Sequence, residues 1–250
     1  MKNSNYILKV DALTKVYTAG KNQKKALSSV SFTLDSGLYG LLGPNGAGKS
    51  TMMSILTGNL DATSGKVFWN GKNILKNNKP IRRVLGYMPQ QQNLYDSFTG
   101  RRFLLYLAAL KEIAKKEMAQ EVERVAALVH LSQELDKRLS SYSGGMKQRL
   151  LAASAMLGNP HIIILDEPTA GLDPKERVRL RNVLAELSKT CIVIVATHVV
   201  SDVEHVAKEI LLLKEGNLID KASPQALIDK YAAGGTLEDV YLAIFGEEQP

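Results

Sequence analysis

A glycine-rich stretch that ends in a lysine and two hydroxyl residues is the part of this sequence best suited to chemistry. It consists of Gly43, Pro44, Asn45, Gly46, Ala47, Gly48, Lys49, Ser50 and Thr51 and fits the pattern G-x-x-x-x-G-K-[ST]. The glycines let successive backbone N–H groups point inward, which creates a concave site for an anion. Lys49 adds a positive charge for outer phosphates, and Ser50 adds a hydroxyl for Mg²⁺. We predict that this loop binds nucleotide phosphate.

Two adjacent carboxylates follow an apolar run further along the chain. Residues 162–165 are typical of a strand buried on both faces, and Asp166 and Glu167 come directly after it. Ligands of an open parallel sheet bind outside the carboxyl ends of its strands. Asp166 is therefore predicted to coordinate Mg²⁺, directly or through water, and Glu167 to polarise an attacking water as general base. A capping pair before a proline turn is the alternative for these two residues alone.

A histidine follows the next apolar run in the same way. Residues 192–196 are predicted to form a strand, and Thr197 and His198 come after it. A histidine taken alone more often has a structural role. Its position at the same sheet edge as Asp166 favours a hydrogen bond from His198 to the terminal phosphate.

The predicted elements around these residues alternate between strand and helix. A buried strand at 38–42 precedes the glycine-rich loop, and helical spacing continues through 52–56. Further strands are predicted at 161–165 and 192–196, and helices at 146–157, 175–188 and 202–207. This alternation implies a parallel sheet with crossover helices.

The remaining segments have other patterns. Short strands are predicted at 6–10, 30–34 and 67–71, with a hairpin tip within 18–25. Residues 103–131 are rich in helix-forming residues and predict an all-helical insertion. Two helices are predicted near the end of the sequence, at 224–231 and 237–245.

Composition limits the class of protein. The 250 residues, 45% of them hydrophobic, suit one large α/β domain. A single cysteine, Cys191, excludes an internal disulfide framework and is interpreted as a buried side chain. Residues 1–5 lack the apolar stretch of a secretory signal, and no window approaches the roughly 18–20 apolar residues of a spanning helix. We therefore expect a soluble, intracellular protein.

The net charge of +7 raises contact with nucleic acid or an acidic membrane as possibilities. The basic residues are dispersed, however, with small clusters at 21–25, 82–83, 101–102 and 115–116. None of these clusters is interleaved with aromatic residues as a single-strand binding surface would be. Solvated loops and helix faces explain them, and no nucleic-acid partner is expected.

Taken in order, these motifs resemble those of the ATP-binding subunit of ABC transporters, over essentially the full chain. Tyr142, Ser143, Gly144, Gly145 and Met146 stand where that family carries its signature, usually Leu-Ser-Gly-Gly-Gln. By itself, a Ser-Gly-Gly turn that opens a helix is either an anion site or a simple helix cap. The resemblance implies that Ser143, Gly144 and Gly145 contact the ATP held by a second subunit.

The resemblance also implies roles for four other residues. Tyr17 matches the aromatic residue that stacks on adenine, and Asp173 lies in the loop that links the two nucleotide sites. His198 matches the switch histidine. Gln90 matches the glutamine that reaches Mg²⁺ and reports to the membrane partner, although residues 91 and 92 are also glutamines and the functional one stays open.

The fold implied by the resemblance is an α/β P-loop NTPase of ABC type. It has a mostly parallel sheet core, an antiparallel β subdomain and an all-helical insertion. We expect one domain over 1–250, with a β/α core at about 1–88 and 156–215, a helical subdomain at about 89–155 and a C-terminal helical tail at about 216–250.

The implied function is ATP binding and hydrolysis with Mg²⁺, in a head-to-tail dimer with a second copy or a related subunit. The dimer would drive a separate transmembrane permease from the cytoplasmic face of the membrane. Tyr142 and Met146 depart from the usual signature, and this variant and the tail at 237–242 resemble bacterial ABC-2-type exporters of drugs, antibiotics and polysaccharides. Residues 100–102, Gly-Arg-Arg, stand where relatives commonly have an acidic residue after the glutamine loop, in a segment that usually faces the permease.

Two other functions stay open at this point. A soluble ABC-type ATPase that acts on nucleic acid or ribosomes would share the same chemistry, and the positive net charge favours it. Such proteins often carry two ATP domains or a long coiled-coil insertion, and this sequence shows neither. A nucleotide-binding regulator without turnover is disfavoured because the catalytic set is complete.

Overall fold

The computed structural model describes residues 6–20, 22–76, 79–90 and 94–246. The strands in these ranges are β1 (Leu8–Ala19), β2 (Asn22–Leu34), β3 (Gly37–Leu42), β4 (Ser64–Trp69), β5 (Lys72–Asn73), β6 (Leu85–Met88), β7 (Ile162–Asp166), β8 (Ile192–Thr197), β9 (Glu209–Lys214) and β10 (Asn217–Ala222). The α-helices are α1 (Lys49–Leu56), α2 (Lys79–Arg82), α3 (Gly100–Leu110), α4 (Lys115–Leu128), α5 (Gly144–Ala155), α6 (Pro174–Ser188), α7 (Pro224–Tyr231) and α8 (Leu237–Phe245). None of these helices is long and apolar enough to cross a bilayer.

The larger sheet has the strand order β10-β9-β3-β8-β7-β6. All neighbours in it are parallel except β9 and β10, which form an antiparallel hairpin. Leu42, at the end of β3, pairs with Thr197 of β8, and Asp166 of β7 pairs with Ala196. The carboxyl ends of these three strands therefore meet at one edge, which brings the glycine-rich loop, the two carboxylates and His198 together.

The two faces of this sheet cover two separate cores. Alternate residues of a strand point to opposite faces, so the central strands contribute to both. Ile163, Leu165, Val193 and Val195 pack with residues of α3 to α8. Ile162, Ile164, Ile192 and Ile194 pack with α1 and with β1, β2 and β4. Each such burial stabilises the fold by about 1.5–3 kcal/mol, which explains the unbroken apolar runs before the functional residues.

The smaller sheet has the order β2-β1-β4-β5, and its pairs are antiparallel. Helices α3, α4 and α5 lie between β6 and β7 in the chain. Thr99 caps α3 by accepting a hydrogen bond from the backbone N–H of Arg102. These features confirm the predicted α/β fold with a mostly parallel core, an antiparallel β part and a helical insertion.

The prediction was wrong in two places near the end of the chain. Instead of a helix at 202–207, a short 3-10 turn spans Val200–Asp202 and irregular turns follow. Val203 is fully buried against Gly40, and the N–H of Lys208 already bonds to Leu38 O at 2.7 Å. Packing on the sheet therefore determines the conformation of this segment.

The second error concerns the helical tail predicted from residue 216. Its first part, Asn217–Ala222, is strand β10 of the larger sheet. Glu215 and Gly216 both have positive φ angles, 49° and 77°, and form a tight hairpin turn that returns the chain to β9. The two helices beyond it, α7 and α8, have the predicted bounds.

Candidate functional site

The glycine-rich loop is held between β3 and α1 by close backbone packing. A Cβ on Gly43 would lie 2.2 Å from Leu213 O, and one on Gly48, whose φ is 107°, would lie 2.5 Å from Ala26 O. Only glycine satisfies both positions. The loop ends at the N-terminus of α1, where free backbone N–H groups and the helix dipole favour an anion.

Lys49, the first residue of α1, has a buried side chain that folds back over the loop. Its Nζ donates hydrogen bonds to Gly43 O at 2.5 Å and Pro44 O at 3.1 Å. Burial lowers the pKa of Lys49, and the charges of Glu167 and Asp166 oppose that shift. The ammonium is therefore held where the loop would receive phosphate.

Asp166 ends β7 beside the hydroxyl of Ser50. Ser50 Oγ donates a hydrogen bond to Asp166 Oδ2 at 3.3 Å. Burial raises the pKa of Asp166, against the effects of the Ser50 hydrogen bond and the Lys49 charge. A hydroxyl and a carboxylate are oxygen ligands of the kind that Mg²⁺ takes. No cluster of three or more His, Cys, Asp or Glu suited to a metal occurs in the described residues.

Glu167 is fixed at both its backbone and its side chain. It has a left-handed φ of 50°, unusual for a residue with a side chain. Its N–H donates to Ala196 O at 2.8 Å, and its carbonyl oxygen accepts from Gln148 Nε2 at 2.8 Å. Oε1 lies 2.7 Å from His198 Nδ1 and accepts the N–H of His198 at 3.1 Å, while Oε2 accepts from Thr197 Oγ1 at 3.0 Å. The structure therefore joins Glu167 directly to His198.

The loop and the carboxylates line one groove. Its lining residues are Tyr17, Lys24, Ala26, Pro44, Asn45, Gly46, Ala47, Gly48, Lys49, Ser50, Thr51, Gln90, Asp166 and Glu167. Tyr17 is 42% exposed, its hydroxyl lies 3.4 Å from Thr51 Oγ1, and the Lys15 ammonium lies 5.2 Å from the centre of its ring. Gln90 is exposed at the groove, whereas residues 91 and 92, the alternative glutamines, lie outside the described residues.

The Ser143 turn lies elsewhere on the molecule. Ser143 caps α5 by accepting a hydrogen bond from the N–H of Met146 at 3.2 Å, and Ser143 and Gly144 are exposed. Asp173 caps α6 by accepting from Glu176 N at 3.0 Å. In the described part of the chain, neither Ser143, Gly144, Gly145, Asp173 nor His198 lines the groove. One chain thus presents two separate sets of the predicted phosphate-binding residues.

The departures from the usual signature have different positions. Tyr142 is buried, its hydroxyl donates to Glu134 O at 2.7 Å, and burial raises its pKa to about 12. A Cβ on Gly100 would lie 2.4 Å from that hydroxyl, so Tyr142 packs against the start of α3 within the helical insertion. Met146 is half-buried against the same core. The Ser143 turn between these two residues is exposed.

Four residues at the site were missed by the sequence prediction: Lys24 and Ala26 in the groove, and Thr197 and Gln148 around Glu167. Lys24 has a signal in the sequence, since it lies in the basic hairpin interpreted as solvated, and Thr197 shares with His198 the position after the apolar run of 192–196. Gln148 and Thr197 contact Glu167 across 19 and 30 positions of sequence. Such contacts have no local pattern.

Comparison with known proteins connects this site to a family. The model of the family "ABC transporter" matches residues 27–170. The chain is 36% identical to the uncharacterized ABC transporter ATP-binding protein YxlF of Bacillus subtilis, over 88% of this chain and 72% of YxlF. It is 33% identical to ABC transporter A family member 3 of Arabidopsis thaliana over 94% of this chain, but spans only 26% of that relative.

A solved structure of an ATP-binding cassette is also similar to this chain. A dimeric, post-hydrolysis structure of the ATP-binding cassette MJ0796, bound to ADP and Pi, has a TM-score of 0.79 and 26% identity. The match covers 86% of this chain and 98% of MJ0796.

Proposed function

Because the chain belongs to the ABC transporter family and is one of its ATP-binding, ATP-hydrolysing domains, we propose that it is the motor subunit of a membrane transporter. The transporter is an exporter of the bacterial ABC-2 type, and its permease is a separate chain. Two copies of the subunit, or this subunit and a related one, hydrolyse MgATP head to tail at the cytoplasmic face of the membrane. The Tyr142–Met146 variant of the signature and the tail at 237–242 support the export assignment.

The observation that carries this proposal is the separation of the two half-sites. Lys49, Ser50, Asp166 and Glu167 line the groove, whereas Ser143 is exposed and outside it. A second copy turned head to tail would bring its Ser143 turn to the phosphates in this groove. The dimeric structure of MJ0796 with ADP and Pi supports such a pairing.

Each residue has a role that follows from its position. The loop N–H groups and Lys49 bind the phosphates, and Tyr17 stacks on the adenine. Ser50, Asp166 and Gln90 hold Mg²⁺, which when bound offsets the negative charge of the phosphates. Most of the rate enhancement comes from positioning and fixed charge.

Glu167 and His198 act on the reacting atoms. Glu167 orients the water and accepts its proton as the water oxygen bonds to the terminal phosphorus. The bond from that phosphorus to the ADP oxygen breaks, and ADP leaves with the electron pair. His198 stabilises the negative charge on the transferred group, and Asp173 lies in the loop that connects the two sites.

The exposed side of α3 is the proposed contact for the permease. Arg102, Tyr106 and Leu110 recur every four residues on this side, and all three are exposed. The Arg102 guanidinium lies 4.3 Å from the centre of the Phe98 ring, and Tyr95 also packs on Phe98. A surface of aromatic and basic groups on the segment that faces the permease in relatives supports a protein contact.

Glu167→Gln tests the proposed chemistry. A carboxamide cannot accept the proton, so turnover should fall roughly 10²–10⁴-fold, equivalent to about 3–5 kcal/mol of barrier. Nucleotide binding should persist, and ATP should then hold the variant as a dimer. Phosphate release and light scattering measure the two effects. Hydrolysis near the rate of the unmodified protein would remove Glu167 from this role.

The second candidate is a soluble ABC-type ATPase acting on nucleic acid or ribosomes, which the net charge of +7 favours. Purification of the tagged protein from detergent-solubilised membranes distinguishes the two. Recovery with a multispanning membrane protein supports the transporter. Salt-sensitive binding to RNA or DNA at physiological ionic strength supports the alternative.

A further inference from the structure

Thr197, the last residue of β8, is fully buried, and its hydroxyl makes two hydrogen bonds. Its hydroxyl donates to Glu167 Oε2 at 3.0 Å and accepts from the N–H of Val199 at 3.0 Å. A threonine hydroxyl has a single hydrogen to donate. That hydrogen is committed to the carboxylate, while the bond from Val199 fixes the direction of the hydroxyl.

The backbone of Glu167 is already immobilised by its bonds to Ala196 and Gln148. Its remaining freedom is rotation of the side chain. Besides the backbone N–H of His198, two side chains restrict this rotation in the described residues: His198 at Oε1 and Thr197 at Oε2.

These two side chains differ in their freedom to move. The imidazole of His198 is 61% exposed, whereas Thr197 has no exposed surface. When His198 turns to the terminal phosphate, as the proposed function requires, its ring leaves Oε1. Thr197 then provides the remaining side-chain bond to the carboxylate.

We propose that Thr197 is a positioning residue for hydrolysis: its hydroxyl holds the Glu167 carboxylate in the orientation that activates water. This inference rests on the proposed role of Glu167 as general base. Thr197 itself touches neither nucleotide nor water.

The test compares Thr197→Val with Thr197→Ser. Valine keeps the shape and removes the hydroxyl, so kcat should fall roughly ten- to hundredfold, the value of one hydrogen bond to a charged group. The dissociation constant for ATP should not change, because Thr197 does not line the groove. Serine keeps the hydroxyl and should restore most of kcat. An unchanged kcat in the valine variant would overturn the inference.

Thr57→Val is the matched control. Thr57 is also buried and donates to a backbone oxygen, Ser54 O at 3.2 Å, without contacting Glu167. The Thr57→Val variant should be less stable than the unmodified protein but should keep its kcat. Thermal unfolding of all variants shows whether Thr197→Val is folded, and the serine variant keeps the test decisive if it is not.

A double-mutant cycle separates positioning from a general structural defect. In the Glu167→Gln background, single-turnover hydrolysis should show no further loss from Thr197→Val, since the carboxylate through which Thr197 acts is gone. An equal loss in both backgrounds would overturn the inference. If Glu167→Gln alone kept full activity, the proposed function would fail. If Glu167→Gln lost activity but Thr197→Val kept it, only the positioning role of Thr197 would be refuted.

Discussion

At the scale of single residues, the site places buried ionisable groups close together. Asp166 and Glu167 both lie near Lys49, and all three are buried. Burial raises the pKa of Asp166 and lowers that of Lys49, so neither charge is well solvated. A bound cation and a polyphosphate would satisfy both groups at once.

Lys49→Ala tests the contribution of that positive charge. Loss of a charge-assisted contact to phosphate should weaken ATP binding by roughly ten- to hundredfold. Titration with a fluorescent ATP analogue gives the dissociation constant. Lys72→Ala, which removes an exposed lysine outside the groove, is the control and should bind normally. Equal affinity in both variants would contradict the assignment of the loop.

At the scale of elements, the sequence was informative where a motif directly follows its strand. The apolar runs of β3, β7 and β8 lead straight into the loop, into Asp166 and into His198, so strand and functional residue share one signal. The β9–β10 hairpin and the contacts of Thr197 and Gln148 carry no such signal. They depend on which strands pair and on how α5 packs, and these are properties of the assembled chain.

A partly buried lysine joins α3 to the turn that follows α5 and gives a pH-dependent prediction. Lys111, directly after α3, donates from Nζ to Leu157 O at 2.8 Å, and burial lowers its pKa to about 8 from a model-compound value of 10.5. Between these values the Lys111 side chain binds more protons in the unfolded chain than in the folded one. Its contribution to the free energy of unfolding should therefore rise with pH across that window, by about 1–3 kcal/mol, while Cys191 and Tyr142, whose pKa values burial raises to about 12, act in the opposite direction.

Urea denaturation at pH 7.5 and 10 measures this rise. Lys111→Met keeps the length of the side chain without the titrating group, so its stability should gain less over the same interval. Subtracting the pH-dependent change in the free energy of unfolding of Lys111→Met from that of the unmodified protein removes the effects of other groups that titrate there. Equal gains in both proteins would show that Lys111 does not titrate in this range.

At the scale of the whole molecule, the exposed Ser143 turn lies outside the groove that the glycine-rich loop lines. Ser143→Arg places a bulky cation on the exposed turn, where a Cβ on the neighbouring Gly144 would meet no atom within 4 Å. The groove is left intact, so ATP binding to the monomer should persist. Closure of a second copy over the phosphates should be blocked, and turnover should fall at least about tenfold.

The effect on pairing is best measured in the Glu167→Gln background, where the ATP-bound dimer should accumulate. Light scattering with ATP should then detect a dimer for Glu167→Gln and a monomer once Ser143→Arg is added. Ser141→Arg, at an exposed residue two positions earlier, is the matched control and should still dimerise. An ATP-dependent dimer in the Ser143→Arg protein would refute the head-to-tail arrangement.

The packing of the glycine-rich loop has a consequence for the order of events during translation. β3 pairs with β8 and β9, and the loop after it touches Leu213 and bonds to Gly216. A nascent chain still attached to the ribosome therefore lacks the supports of its own loop until residue 216 has left the exit tunnel. Nucleotide therefore cannot act as a template for the folding of β3 and its loop before β9 and Gly216 have emerged.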